Sequence, residues 1–263
     1  ARTTAVPRPA ATITTHAAPV YRPPATTTHR AAPRSTAAHR AAPRPAPRPV
    51  AKPRPAAKPR GGALPLGFSA GLATRVITVV AHSHGSTTAT LQAWTKASGG
   101  GWFRYGSAVT AHVGSDGLST TASEYRSATP IGSFTLTQAF GAYSDPGTAL
   151  PYTHTNSHYW WISDTSSSRY NTMQYCHPGC TFAHSPNEHL YYERPYYNYA
   201  VVIDYNTRNA PGGVHVGRGS AFFLHVTDGA ATAGCVAISQ TKLVSLMRWL
   251  TPSAHPRILI GVS

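Results

Sequence analysis

Acidic residues are missing from the first 60 positions of this 263-residue chain, although those positions hold 12 of its 23 Lys and Arg and 13 of its 23 Pro. Large apolar residues are nearly missing there as well. The stretch therefore cannot bury enough surface to offset the entropy of ordering, which excludes a folded domain. Self-repelling charge and frequent Pro imply an extended, partly polyproline-like tail of up to ~3 Å per residue. The unit "HRAAPR" occurs twice in it, at 29–34 and 39–44. Aromatics are not interleaved with its cations to stack on bases, so nucleic acid is the least favoured partner, even though Lys and Arg spaced by Pro can release counterions from phosphates. A solvated linker comes first and an anionic wall polymer second. Nowhere in the chain do 18 consecutive apolar residues occur, which removes a membrane-spanning helix of ordinary length. The opening "ARTTAVP" reads as a mature N-terminus behind a cleaved export signal, giving an exported, extracellular or wall-associated protein. We place the disordered basic tail over residues 1–67 and one folded domain over 68–263.

The folded part is rich in Val, Thr and aromatics. The segments "LATRVITVVAHS" (72–83), "TTATLQAWTK" (87–96), "GWFRYGSAVTAHVG" (101–114) and "GSFTLTQAFG" (132–141) predict short strands. The glycines at 99–101 and the pair Asp116-Gly117 are hairpin-turn signals. Nearly continuous apolar runs at 199–206 and 220–226 predict strands buried on both faces, and "HPRILIGVS" closes the chain as a final strand. Only one segment has helical spacing, with Leu243, Leu246, Met247 and Leu250 on one face, Ser239 as N-cap and Pro252 past the end. A second helix or an irregular insert is expected within 158–195. The expected class is mainly β, a mixed sheet with a few short helices.

Cysteine is scarce, with three in the whole chain. Cys176 and Cys180, in "CHPGC", are read first as a disulfide. Free thiols, or a metal site with His177, His184 or His189, stay open as rivals, since a lone C-x3-C is a weak zinc signal. That leaves Cys235 as the odd thiol. Free cysteine is commonly a buried packing residue. Against that stand Gly234 before it and a helix expected after it, whose N-terminus would lower the thiol pKa, and His225 at a strand end a short loop upstream. A Cys/His pair supplies nucleophile and base. His82 and His84, with no acid or cysteine nearby, are expected on a surface loop. "YWW" (159–161) and "YYERPYY" (191–197) are read as core aromatics ahead of a glycan or stem-peptide platform.

The stretch "GSAFFLHVTDGAATAGCVAIS" resembles the L,D-transpeptidase catalytic domain of the YkuD type, found in bacterial cell-wall enzymes. "ATPIGSFTLTQAFG" (128–141) and "NEHLYYERPYYNYAVVIDYN" (187–206) resemble further segments of that family, so the likeness covers roughly 102–262. The resemblance implies Cys235 as nucleophile and His225 as base. It also implies the backbone amides of Ala233, Gly234 and Cys235 as oxyanion hole, peptidoglycan stem peptides as substrate, and no cofactor. The base would be oriented by a main-chain carbonyl, with Asp228 the weaker side-chain candidate. Arg218 and His215 are the candidates for holding a substrate carboxylate. Two positions depart from the family pattern: Ala233 stands where a histidine is usual, and Ala237 where Asn or Arg is common. The rival reading is a non-catalytic wall-binding protein that keeps the fold with Cys235 as a buried thiol.

Overall fold

Three long strands follow one another where β-branched and small residues dominate: β1 (Arg75–Ala81), β2 (Thr88–Lys96) and β3 (Trp102–His112). This is seen in a computed structural model that describes residues 60–263. The basic segment 1–59, read above as tail, lies outside the described residues. The β2–β3 hairpin turns through Gly100 and Gly101, both at positive φ (94° and 73°), as the glycine run predicts. Gly117 also has positive φ (74°), but its turn joins no hairpin. It leads from β3 into the two-residue strand β4 (Leu118–Ser119), which pairs with β5 (Thr129–Pro130) instead of β3.

The segment 132–141, expected as one strand, is two: β6 (Gly132–Thr135) and β7 (Ala139–Gly141). β8 (Tyr152–His154) then pairs with β7. Further on come β9 (Tyr159–Trp161), β10 (Met173–Tyr175), β11 (Glu188–His189) and β12 (Ala200–Val202). The C-terminal part supplies β13 (Phe223–Val226), β14 (Val236–Ile238), the helix α1 (Gln240–Trp249) and β15 (Arg257–Val262). Ten of these strands form one mixed sheet in the order β6-β15-β1-β2-β3-β14-β13-β12-β7-β8. β6 stands at one end and β7 next to the other, yet only residues 136–138 separate them, a reach of about 10 Å. The sheet must therefore curl until its ends meet. The N–H groups of Asp204 and Val202 close the seam on the carbonyls of Thr135 and Gln138. Curling is why the predicted single strand breaks.

Helix α1 lies where the spacing places it. Leu243, Leu246, Met247 and Leu250 are buried with Ile77, Leu224, Val236 and Ile238 in the main core, each large aliphatic side chain contributing about 1.5–3 kcal/mol. Ser239 holds the N-cap position, but its side chain makes no capping hydrogen bond. On the outer face of β1 and β15, Val76 and Leu259 are covered by Leu64 and Leu66, just ahead of the boundary expected at residue 68.

The insert between β8 and β12 holds no α-helix. It is a small sheet, β10-β9-β11, pinned by a disulfide between Cys176 and Cys180. That bond consumes the thiols a metal site there would need. Trp161, Leu190 and Tyr197 from the insert pack on Phe140, Phe223, Val202 and Cys235, a second core on the opposite face of β12–β13 from the helix. His82 and His84 are exposed, as expected. Among the described residues no helix is long and apolar enough to cross a membrane.

Candidate active site

The second core opens into a cavity of about 670 Å³, and both His225 and Cys235 line it. The reason is register. β13 and β14 run parallel with His225 opposite Ala237, so Phe223 and His225 share one face with Cys235 and Ala237, while Leu224 and Val226 point into the main core. Ala237 also pairs with His112 of β3. The small side chain at 237 is thus flanked on this face by two imidazoles, and it lines the cavity at the position where a longer side chain was expected to be missing.

His225 is 7 % exposed. Its Nδ1 lies 2.8 Å from the carbonyl of Val226. A carbonyl only accepts, so Nδ1 carries the proton and Nε2 keeps its lone pair. The orienting group is thus a main-chain carbonyl, and Asp228 is committed elsewhere: its carboxylate accepts from the Tyr196 hydroxyl at 2.9 Å and from the Ala230 N–H at 2.9 Å. Burial pulls the imidazole down to about 4, opposed by the Val226 carbonyl and by the charge of Asp228. His225 is therefore a neutral base near neutral pH. The ring of Tyr197 stands edge-on to it at 5.5 Å and that of Tyr196 at 6.1 Å.

Cys235 is 8 % exposed. Its Sγ accepts from the Phe223 N–H at 3.3 Å and donates to the Ala221 carbonyl at 3.3 Å. The helix expected to activate it does not reach it, because β14 intervenes and α1 begins only at Gln240. Burial instead pushes the thiol above its ordinary value, with the nearby Glu188 carboxylate adding to the rise and the Phe223 amide opposing it. Thiol and imidazole thus both rest neutral at one cavity, and no hydrogen bond joins them among the described residues.

The turn before the thiol is built on Gly234, at φ +134°. A Cβ there would lie 2.7 Å from the Phe222 ring and 3.2 Å from the Ala128 carbonyl, so no other residue fits. Of the three amides expected to form an oxyanion hole, that of Gly234 is already used, donating to Thr232 Oγ1 at 3.1 Å, while the same hydroxyl donates to the Cys235 carbonyl at 2.7 Å. Ala233 and Cys235 line the cavity.

His215 and Arg218 do not line the cavity, although Gly219 and Ser220 of the same loop do. Both side chains are exposed, and the backbone of His215 is tied to Asn206 (N–H to Oδ1, 2.6 Å). The cation at the cavity is Arg126, which sequence reasoning missed. Reasoning from sequence also missed Glu188 and Tyr197. The Tyr197 hydroxyl donates to Glu188 Oε2 at 2.6 Å. Burial pushes the Glu188 carboxyl up to about 7, with that hydrogen bond opposing the rise and the charges of Glu193 and Glu124 adding to it. The scarcity of acids was the available signal, since an acid amid the aromatics of "NEHLYYERPYY" is unusual in this chain.

A histidine held by a carbonyl, a cysteine on the same sheet face and a glycine turn before it thus line one cavity. The chain matches the family YkuD, L,D-transpeptidase catalytic domain, over residues 80–259. It belongs to that family. No curated protein and no solved structure matches the chain. Members of the family act on peptidoglycan stem peptides.

Proposed function

We propose that this chain is a cysteine L,D-transpeptidase of peptidoglycan stem peptides, with Cys235 as nucleophile and His225 as general base. The observation that carries this reading is that both side chains open into one cavity from one sheet face, with Nδ1 of His225 fixed by the Val226 carbonyl and Nε2 left as acceptor. Because thiol and imidazole rest neutral, attack is concerted with proton transfer and needs no preformed ion pair. Sγ attacks the carbonyl that joins an L-residue to a D-residue while Nε2 takes its proton. The oxyanion is met by the Ala233 and Cys235 amides. Collapse expels the D-residue amine, which takes the proton back from His225, and leaves a thioester on Cys235. An acceptor amine then forms the cross-link, or water releases the acid, and the thiol is restored. We read the protein as wall-associated, with the basic residues of 1–59 serving as a solvated linker first and as a contact for anionic wall polymers second.

A second reading rests on the burial of Cys235 and its raised thiol pKa: a wall-binding domain that keeps the fold with a silent thiol. Intact mass after incubation with a carbapenem, a strained acyl donor, separates the two. One adduct on the wild type, absent from Cys235→Ala and slowed in His225→Ala, supports the enzyme. No adduct, with Cys235 also silent to iodoacetamide in the folded protein, supports the second reading. Turnover of a synthetic stem peptide then separates transfer from hydrolysis.

A further inference from the structure

The chain carries a formal net charge of +15 and only eight acids, yet four of the eight, Glu124, Glu188, Glu193 and Asp228, line the one cavity that holds Cys235 and His225. Arg126 is the single Lys or Arg lining it among the described residues. Two of the acids are engaged within the protein. Glu124 accepts from the Tyr170 and Ser220 hydroxyls, and Asp228 accepts from Tyr196 and the Ala230 amide. Glu188 differs. One oxygen is fixed by the Tyr197 hydroxyl at 2.6 Å, and no hydrogen bond reaches the other among the described residues. Tyr197 is itself wedged edge-on between the Phe223 ring at 5.4 Å and the His225 ring at 5.5 Å, so the carboxyl is held in fixed relation to the reacting groups. The cavity also receives the open Nε2 of His225, a side chain 7 % exposed whose other ring nitrogen is occupied. That atom calls for a ligand independently of the acids.

We propose that Glu188, anchored by Tyr197, is a specificity-determining residue that receives a protonated amine of the peptide bound in this cavity. The inference rests on the transpeptidase reading for the identity of the peptide, but the recognition it describes is a matter of binding alone. A carboxylate in a confined, partly desolvated wall makes a charge-assisted hydrogen bond to an ammonium, and it gains little from a neutral amide in the same place. Such a site also discriminates strongly, because a peptide lacking the cation leaves the carboxylate buried without its partner. The pairing has a second effect. The charge of Glu188 opposes ionisation of Cys235, so a bound ammonium that cancels it eases loss of the thiol proton only when the amine-bearing peptide is in place.

The test is calorimetric binding to the full chain carrying Cys235→Ala, which cannot form a thioester. The probes are two synthetic tetrapeptides of stem type, one whose diamino acid has a free side-chain amine and one with that amine acetylated. We expect the free-amine peptide to bind about tenfold tighter, the low end of what a charge-assisted hydrogen bond supplies. Adding Glu188→Gln should bring the ratio to within about twofold of one, whereas Glu193→Gln should leave it in place. Tyr197→Phe, which keeps the carboxylate but frees it, should reduce the ratio to about threefold and guards against a Gln variant that folds poorly. Equal affinities in the Cys235→Ala protein, no binding of either peptide, or a preference that survives Glu188→Gln in a protein with an unchanged thermal midpoint would each overturn the proposal. Carbapenem acylation of the wild type judges the transpeptidase reading separately, so the two failures are distinguishable.

Discussion

On one face of β13, Leu224 and Val226 lie among Val236, Ile238, Leu243 and Leu246, under the helix. On the other, Phe223 and His225 meet Cys235, Tyr197 and the cavity. The same four residues thus serve two environments. The helix face is governed by volume alone, and any well-packed aliphatic set satisfies it. The cavity face carries an imidazole, a thiol and a carboxyl whose ionisation is displaced by burial. Stability and chemistry are separated here by the thickness of a single strand.

The sharpest break in that comparison is His225→Gln. It keeps the volume on the cavity face while removing the base, and acylation of Cys235 should fall by about 10²–10⁴-fold, read by time-resolved intact mass. Across the strand, Leu246→Ala leaves a void under the helix and should cost about 2–5 kcal/mol in urea unfolding. Acylation per folded molecule should stay within about twofold of wild type. If Leu246→Ala slows acylation as much as it destabilises, the two faces are not independent.

The cavity face also predicts a pH dependence with two opposed slopes. Glu188 is raised from 4.5 to about 7. Between those values the folded chain holds the proton and the unfolded chain has lost it, so stability falls as pH rises. His225 is lowered from 6.5 to about 4. Between those values the unfolded chain takes the proton and the folded chain does not, so stability rises with pH. The windows overlap from about 4.5 to 6.5, and in the wild type the two largely cancel there. Glu188→Gln should unmask the rise and His225→Gln the fall, each about 3 kcal/mol across its window, measured as denaturation midpoint against pH. Parallel profiles in the two variants would remove the assignment. The smallest effect is expected at Ser239→Ala. Because the hydroxyl makes no capping bond, the loss should be under about 0.5 kcal/mol, against roughly 1 kcal/mol for a serine that caps.

What the sequence made legible follows the same division. Leu243, Leu246, Met247 and Leu250 announce the helix because its period is local. Val76 to Val80, Leu91 and the closing Ile258 to Ile260 announce strands for the same reason. His225 and Cys235 were also within reach, because one short loop joins the strands that carry them. Glu188, Tyr197 and Arg126 were not, since they arrive from the insert and from the loop before β5, through contacts that no local spacing encodes. The helix thought to activate Cys235 was found with its N-cap at Ser239, but the strand β14 that separates it from the sulfur was not foreseen. Three residues of strand are enough to take the dipole away from the sulfur. His215 and Arg218 were chosen for their nearness in sequence, and the glycines on either side of Arg218 carry the chain past the cavity with the side chain outside it.

The two hydrogen bonds on Sγ have a bearing on how long the protein lasts. Oxidants attack the thiolate far faster than the thiol, and only where they can reach it. With its proton held toward the Ala221 carbonyl and little of its surface open, Cys235 is a slow target for peroxide. With Cys176 and Cys180 joined to each other, no second free thiol is left in the chain to pair with Cys235. A sulfur this hard to ionise at rest is also hard to poison, which under the proposed role would keep it intact until substrate arrives.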